Sequence, residues 1–191
     1  MNMFKKLLLL DCHVCPWWLA YTFDNRFRRL FHDTEKMLGP YVKEGMTAID
    51  IGCGMGYLTI GMANLVGEKG SVIAVDIQQN MLNVLGRRAE KAGVAHRIHL
   101  HRSEPDTIGI DREVDFALTF WMVHEVPHRK ELLEQIFQIL IPTGKYLLVE
   151  PKVHVSRARF EEIIDDCVQI GFKTSGDPQI SLSRAALLEK L

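Results

Sequence analysis

The residues best suited to chemistry lie in a glycine-rich loop, DIGCGMGY, at positions 50–57. Glycines let the backbone turn tightly and approach a ligand closely, because no Cβ stands in the way. A dinucleotide-binding fingerprint, G-x-G-x-x-G, would need a glycine at position 57, where this chain has Tyr57. Asp50 stands two residues before the first glycine, and its carboxylate suits an ammonium group better than a diphosphate. The loop therefore predicts a ligand with an amino-acid end.

A second carboxylate, Asp76, stands at the end of the next predicted strand, SVIAVDI at 71–77. A carboxylate in this place can accept hydrogen bonds from both hydroxyls of a ribose. Taken singly, a glycine turn is usually only a turn, and a strand-end aspartate is often a helix cap. Together, an amino-acid end near Asp50 and a ribose near Asp76 describe S-adenosylmethionine.

His124 and Glu125 are the candidates for proton transfer, because they directly follow the fourth predicted strand. Histidine accepts a proton near neutral pH, and a base is needed only if the reacting atom carries a proton. The alternative is that the two residues cap or orient the following helix. Trp121, just before them, either walls a substrate pocket or packs in the core.

Five apolar runs of strand length alternate with helical patterns from residue 46 onward. The strands are predicted at 46–52, 71–77, 96–101, 115–121 and 145–150, with helices at 56–66 and 79–92, after Pro127 and after Ser156. Asp177-Pro178 then begins a predicted antiparallel hairpin. Apolar strands separated by amphipathic helices indicate a mainly parallel sheet covered on both faces, with ligands beyond the carboxyl ends of the strands.

In this context the sequence resembles the class I S-adenosylmethionine-dependent methyltransferases, and within them the small-molecule (type 11) group around ubiquinone and menaquinone biosynthesis. Four segments carry the resemblance: AIDIGCGMGYLTI (48–60), VIAVDIQQNML (72–82), DFALTFWMVHEV (115–126) and LLEQIFQILIPTGKYLLVEP (132–151). It implies a doubly wound α/β fold, Rossmann-like, with a mainly parallel seven-stranded sheet and a terminal antiparallel strand.

The resemblance also implies the cofactor contacts. The loop residues Asp50, Gly52, Cys53 and Gly54 would surround the methionine end, and Asp76 would hold the ribose. Ile77 and Met81 would lie against the adenine, and Thr119 and Phe120 beneath the cofactor. Gly56, Ser103 and Glu104 complete the expected cofactor-binding residues. After the third strand the family commonly has Asp-Ala, whereas this chain has Ser103-Glu104-Pro105. Glu104 is the expected acidic substitute.

Residues 1–45 are predicted to form a helical cap in front of a methyltransferase domain at 46–191. Trp17, Trp18 and Tyr21 lie partly off the apolar stripe of the predicted helix, so they add aromatic surface beyond one packing face. We expect a lid in which these three residues, with Trp121, bind the substrate. A helix packed on the core, a partner surface and a weak contact with a membrane surface are the alternatives.

Cysteine usage gives a weaker signal. The chain has Cys12, Cys15, Cys53 and Cys167, and without an export signal they are expected to be free thiols. Cys12 and Cys15 supply too few ligands for zinc, so no metal site is predicted. A metalloid or thiol methyltransferase that uses these two thiols is a minority hypothesis.

The amino-acid composition excludes further classes of protein. The chain has 191 residues, 23 Lys plus Arg against 24 Asp plus Glu, and 47% apolar residues, which excludes a disordered chain and argues against a protein that coats nucleic acid. Asp11 stops the apolar run at 7–10, so a cytoplasmic protein without a transmembrane segment is expected. We predict methyl transfer to a small apolar or aromatic molecule. A catalytically silent cofactor-binding module and a nicotinamide-dependent oxidoreductase are the rivals, and a homodimer is open.

Overall fold

The apolar runs of the sequence become the strands of one sheet in the computed structural model, which describes residues 31–191. The strands are β1 (Thr47–Ile51), β2 (Ser71–Asp76), β3 (Ile98–Arg102), β4 (Val114–Phe120), β5 (Leu140–Pro151), β6 (Phe172–Gly176) and β7 (Ser183–Lys190). Their order is β3-β2-β1-β4-β5-β7-β6. β7 runs antiparallel to both of its neighbours, and the other pairs are parallel. The predicted seven-stranded, doubly wound sheet is confirmed.

Five α-helices accompany the sheet within residues 31–191. They are α1 (Thr34–Leu38), α2 (Tyr57–Leu65), α3 (Gln79–Ala92), α4 (Arg129–Ile139) and α5 (Arg157–Ile170), with short 3₁₀ turns at Ala95–Arg97 and Val123–Glu125. The Ser156 side chain caps α5 by accepting a hydrogen bond from the Arg159 N–H, and Gly93 ends α3 in the left-handed conformation. Both boundaries agree with the signals in the sequence.

Alternating side chains of each buried strand supply two separate cores, one on each face of the sheet. Ile49 and Ile51 of β1 pack with residues of α4 and α5, whereas Ala48 packs with residues of α1, α2 and α3. Both faces are therefore buried, which explains why these strands are apolar at nearly every position.

The sheet changes its winding direction between β1 and β4. From β1 the chain continues to β2 and then to β3, which lies at the edge of the sheet. The next strand, β4, lies on the other side of β1. The loops after β1 and β4 consequently leave toward opposite faces and open a crevice at the carboxyl ends. Within residues 31–191 no helix is both long and apolar enough to cross a membrane.

Two strand boundaries differ from the predictions by more than one residue. β3 begins at Ile98 rather than residue 96, because the side chains of His96 and Arg97 bind Glu68 from the end of a 3₁₀ turn. β5 begins earlier than expected, at Leu140, which pairs with Val114 of β4 across an irregular step in the register. Neither difference moves a residue at the crevice.

Gly56→Ala should destabilise the fold more than Gly93→Ala does. Both glycines have left-handed backbone conformations, but a Cβ at Gly56 would lie 1.9 Å from a methyl group of Leu85, whereas nothing lies within 4 Å at Gly93. We expect about 3 kcal/mol for Gly56→Ala, from strain plus overpacking, and about 1 kcal/mol for Gly93→Ala, from strain alone. Urea unfolding measures both, and equal losses would contradict the packing role of Gly56.

Candidate active site

The glycine loop crosses from the end of β1 to the end of β2 through backbone hydrogen bonds. The N–H groups of Gly52 and Cys53 both donate to the Val75 carbonyl oxygen, at 2.9 and 3.0 Å. The Gly54 N–H donates to Asp76 Oδ2 at 2.9 Å. Gly52 and Gly54 have φ values of 73° and 54°, which glycine adopts without strain. The loop is thus held open beside Asp76 before any ligand binds.

Asp76 is a buried carboxylate with one backbone partner on each oxygen. Besides the bond from Gly54, its Oδ1 accepts from the Gln78 N–H at 2.8 Å. Burial raises the pKa of Asp76, and the hydrogen bonds from Gln78 and Gly54 partly oppose that rise. Each carboxylate oxygen has two acceptor positions, so both oxygens can accept a further hydrogen bond from a pair of hydroxyls.

A cavity of about 400 Å³ lies beyond the carboxyl ends of β1, β2 and β4, within the range of roughly 300–1,000 Å³ typical of small-molecule sites. It brings together ten of the residues that the sequence singles out. They are Gly52, Gly54, Asp76, Ile77, Met81, Ser103, Glu104, Phe120, Trp121 and Glu125. The structure therefore brings these predicted residues together at one edge of the sheet.

An aromatic wall, made of His32, Phe120 and Trp121, follows β4, and its Phe120 and Trp121 line the cavity. The His32 ring lies edge-on to the rings of Phe120 and Trp121, with centroids 5.1 and 5.3 Å away. Trp121 has a φ of 60°, unusual for a bulky residue, and its Nε1–H donates to the Ser183 hydroxyl oxygen at 2.9 Å. The indole is thus fixed at the cavity rather than free to reorient.

Asp50 and Thr119 do not line the cavity, although the sequence assigns both to the cofactor. The Asp50 carboxylate points beneath the loop, where its Oδ2 accepts from the Thr59 hydroxyl at 2.5 Å and ties β1 to α2. Thr119 is fully buried and shares a 2.7 Å hydrogen bond with the Tyr146 hydroxyl. Side-chain alternation along β4 turns Phe120 toward the opposite face of the sheet from Thr119.

Cys53 and Gly56 also stand outside the cavity lining. Cys53 packs against Leu82 and Leu85 under the loop, and Gly56 lets the loop approach Leu85 closely. Burial raises the pKa of the Cys53 thiol well above its ordinary value, with the carboxylates of Asp50 and Asp76 adding to the rise. Both residues therefore support the loop by packing and do not line the cavity.

His124 lies behind the cavity wall rather than in it. Its Nδ1 is 2.5 Å from Glu150 Oε2, and its side chain lines a second cavity of about 580 Å³. Glu125 lines both cavities. Of the two proton-transfer candidates, Glu125 is therefore the one that faces the cofactor cavity.

Sequence reasoning missed Met122 and Gln135, which both line the cavity. Met122 side-chain atoms occupy the space where a Cβ of Gly52 would stand. Gln135 of α4 accepts a hydrogen bond from the Ile108 N–H at 2.7 Å and donates to the Asp106 carbonyl at 3.1 Å, which secures the loop after β3. A polar residue among the apolar positions of α4 is the one signal that could have pointed to Gln135.

The remaining predicted site residues lie outside the described part of the chain. They are Trp17, Trp18 and Tyr21 of the expected lid and the thiols Cys12 and Cys15. The described cysteines, Cys53 and Cys167, are free thiols, as the sequence predicts.

Cys53 and Cys167 should resist alkylation in the folded protein. The thiolate is the reactive form, and burial raises the pKa of Cys53 well above the ordinary value and that of Cys167 to about 12. Peptide mass spectrometry after iodoacetamide treatment near pH 8 should find both unmodified, and both alkylated in urea. Modification of Cys53 at the rate seen in urea would show that the loop opens.

Comparison with known proteins agrees with the site. A family model described as a methyltransferase domain matches residues 42–185. The demethylmenaquinone methyltransferase of Lactobacillus johnsonii is 31% identical over 110 residues, covering 57% of this chain and 45% of that protein. The ubiquinone/menaquinone biosynthesis C-methyltransferase UbiE of Vibrio cholerae is 30% identical over 109 residues, covering 56% of this chain and 42% of that protein. The chain thus spans under half the length of these relatives.

A solved structure shares the fold over nearly its whole length. The S-adenosylmethionine-dependent methyltransferase from Aquifex aeolicus has a TM-score of 0.81 and 24% identity, covering 92% of this chain and 98% of that chain. The cavity also fits the family's cofactor, since Asp76 keeps acceptor positions for the ribose and the space beside Gly54 is open. By its matching domain model, its sheet order and its glycine loop, this chain belongs to the class I S-adenosylmethionine-dependent methyltransferases.

Proposed function

We propose that this chain transfers the methyl group of S-adenosylmethionine to a small apolar or aromatic molecule, of the quinone class. The single observation that carries the acceptor class is the wall of the cavity beyond the glycine loop, where Phe120, Trp121 and Met122 present apolar and aromatic surface. An aromatic acceptor packs favourably against such a wall. The names of the relatives from Lactobacillus johnsonii and Vibrio cholerae, which refer to quinones, agree with this choice.

The cofactor supplies an electrophilic methyl group on a sulfonium, so the chain's own task is to bind, to orient and to exclude water. Asp76 would hold the ribose, and the backbone of Gly52 and Gly54 would lie beside the methionine end. Ile77 and Met81 would pack on the adenine, with Glu104 accepting from its amino group. Each of these residues lines the same cavity.

Glu125 is the group we assign to proton acceptance. It lines the cavity on the side of Trp121 and Met122, where the acceptor would lie. A carboxylate there can take the proton of a hydroxyl or ring carbon as the acceptor atom bonds to the methyl carbon. In this assignment His124 acts behind Glu125 and does not touch the acceptor.

We also propose that residues 1–45 cover the acceptor. His32 anchors this segment at the aromatic wall: its Nε2 lies 3.0 Å from the Ser181 carbonyl oxygen, and its own carbonyl oxygen accepts from the Tyr57 hydroxyl at 2.7 Å. This described end of the segment therefore packs against Phe120 and Trp121, which line the cavity. Trp17, Trp18 and Tyr21 are the residues of this segment that we expect to contact the acceptor.

Methyl transfer tests the proposal directly. Methyl-labelled S-adenosylmethionine is incubated with the protein and either a reduced naphthoquinone that lacks its ring methyl or a cell extract, and the products are partitioned between organic and aqueous phases. We expect protein-dependent label in the organic phase. Label confined to the aqueous phase would contradict an apolar acceptor, and cofactor binding without transfer to either mixture would favour a silent binding module.

Asp76→Asn should weaken binding of S-adenosylhomocysteine by roughly ten-fold or more, because charge-assisted hydrogen bonds to the ribose are lost. The ionised carboxylate is the binding form and burial raises its pKa, so wild-type affinity should increase as pH rises from about 4 toward neutrality, and the variant should lack this dependence. Without ligand, the stability of the fold depends on pH in the opposite direction to the binding affinity. The contribution of Asp76 to stability falls as pH rises above 3.8 through its raised pKa.

Isothermal calorimetry of S-adenosylhomocysteine binding between about pH 4 and pH 8 measures the loss of affinity and its pH dependence. The matched control is Asp177→Asn, an exposed aspartate that does not line the cavity, which should bind as the wild type does. Binding by Asp76→Asn within two-fold of the wild type would remove Asp76 from the ribose site.

A further inference from the structure

Glu150 is a fully buried carboxylate at the end of β5, and it bonds to the turn that follows β4. Its Oε1 accepts from the Val123 N–H at 3.0 Å, and its Oε2 lies 2.5 Å from His124 Nδ1. A buried carboxylate without partners is costly, so these two bonds make the burial of Glu150 tolerable. They also join β5 to the turn that carries Glu125.

The donor and acceptor chemistry of this group fixes the proton on His124. An ionised carboxylate only accepts hydrogen bonds, and one of its oxygens is already bound to the Val123 N–H, which only donates. His124 Nδ1 must therefore carry a proton to bind the other oxygen. Nε2 is then the ring atom that takes up and releases a proton.

We propose that Glu150 is a positioning residue that holds His124 with its proton on Nδ1, so that Nε2 can relay the proton that Glu125 takes from the methyl acceptor. The proposal rests on the proposed function for Glu125. His124 Nε2 lies 4.0 Å from Glu125 Oε1, a gap that a small side-chain shift or one bridging water closes. Glu125 lines both cavities, whereas His124 lines only the second.

The proton therefore has a complete path. The acceptor atom bonds to the methyl carbon as the bond from that carbon to sulfur breaks, and the acceptor's proton passes to Glu125. It then moves to His124 Nε2 and leaves through the second cavity to solvent, which returns Glu125 to its ionised form. No proton is stored, and Glu150 stays ionised throughout.

Charged groups face His124 from several elements. Glu125 and Glu150 are the carboxylates nearest His124, Arg159 of α5 donates to the His124 carbonyl at 3.4 Å, and the His154 ring is centred 5.7 Å away. The second cavity also contains His128, Arg129, Lys130, Glu131 and Asp166. Arg129 and Lys130 both pair with Asp166, so one positive charge remains among these three groups.

The Glu150→Gln variant is expected to change the tautomer of His124 while keeping the fold. The glutamine carbonyl should keep the bond from the Val123 N–H, because a buried amide N–H needs an acceptor. The glutamine NH₂ then faces Nδ1 and moves the His124 proton to Nε2. We expect kcat to fall roughly 10²-fold, while KM for S-adenosylmethionine and affinity for S-adenosylhomocysteine stay within about two-fold.

Nitrogen-15 NMR of the histidine side chains reads the tautomer without turnover. We expect neutral His124 to carry its proton on Nδ1 in the wild type and on Nε2 in Glu150→Gln. A wild-type proton on Nε2, a ring doubly protonated up to about pH 9, or a variant with an unchanged tautomer would each overturn the proposal. The wild-type spectrum tests the proposed tautomer of His124 even if the Glu150→Gln variant folds poorly.

Two further variants complete the design. Glu125→Gln should lower kcat to a similar degree and leave the His124 tautomer unchanged. Glu68→Gln is the matched control, because Glu68 also pairs with a histidine, His96 at 3.0 Å, but on the exposed surface, and it should change neither kcat nor His124. If methyl transfer is absent from the wild type, the proposed function fails, whereas the tautomer measurement still tests the placement by Glu150.

Discussion

The hydrogen bond from the Gly54 N–H to the Asp76 carboxylate determines the shape of the whole site. Asp76 ends β2 and Gly54 lies in the loop after β1, so this one contact sets the distance between two neighbouring strand ends. The second bond, from the Gln78 N–H, fixes the start of α3 to the same side chain. The carboxylate therefore orders two loops at the edge of the cavity.

The three glycines of the loop serve three different physical needs. Gly52 makes room for the Met122 side chain, Gly54 leaves open space beside the cavity, and Gly56 allows close packing against Leu85. All three have positive φ, a backbone conformation that favours glycine, so they appear in the sequence as one glycine-rich motif. Only contacts with distant residues distinguish the glycine that faces a ligand from the glycine that packs a helix.

The fold was predictable because its signals are local, and the site was predictable only in part. Apolar periodicity, the Ser156 cap and the Gly93 stop each lie within one element, and the structure confirms them. Gln135 reaches the cavity through contacts with Asp106 and Ile108, about thirty positions away, and no local pattern encodes that approach. Thr119 shows a second limit. The sequence correctly predicts that Thr119 lies at the end of its strand, but it does not reveal which face of the sheet the side chain takes.

Helix α4 links the two sides of the cavity. Its Gln135 holds the loop after β3 on one side of the cavity, and its first turn directly follows the segment that carries Glu125 on the other side. A rotation of α4 about its axis would therefore move both sides together, whereas neither loop can shift far while the helix stays in place. Because one helix supports both ends of the cavity, a displacement of α4 would change both ends whether or not a ligand is bound.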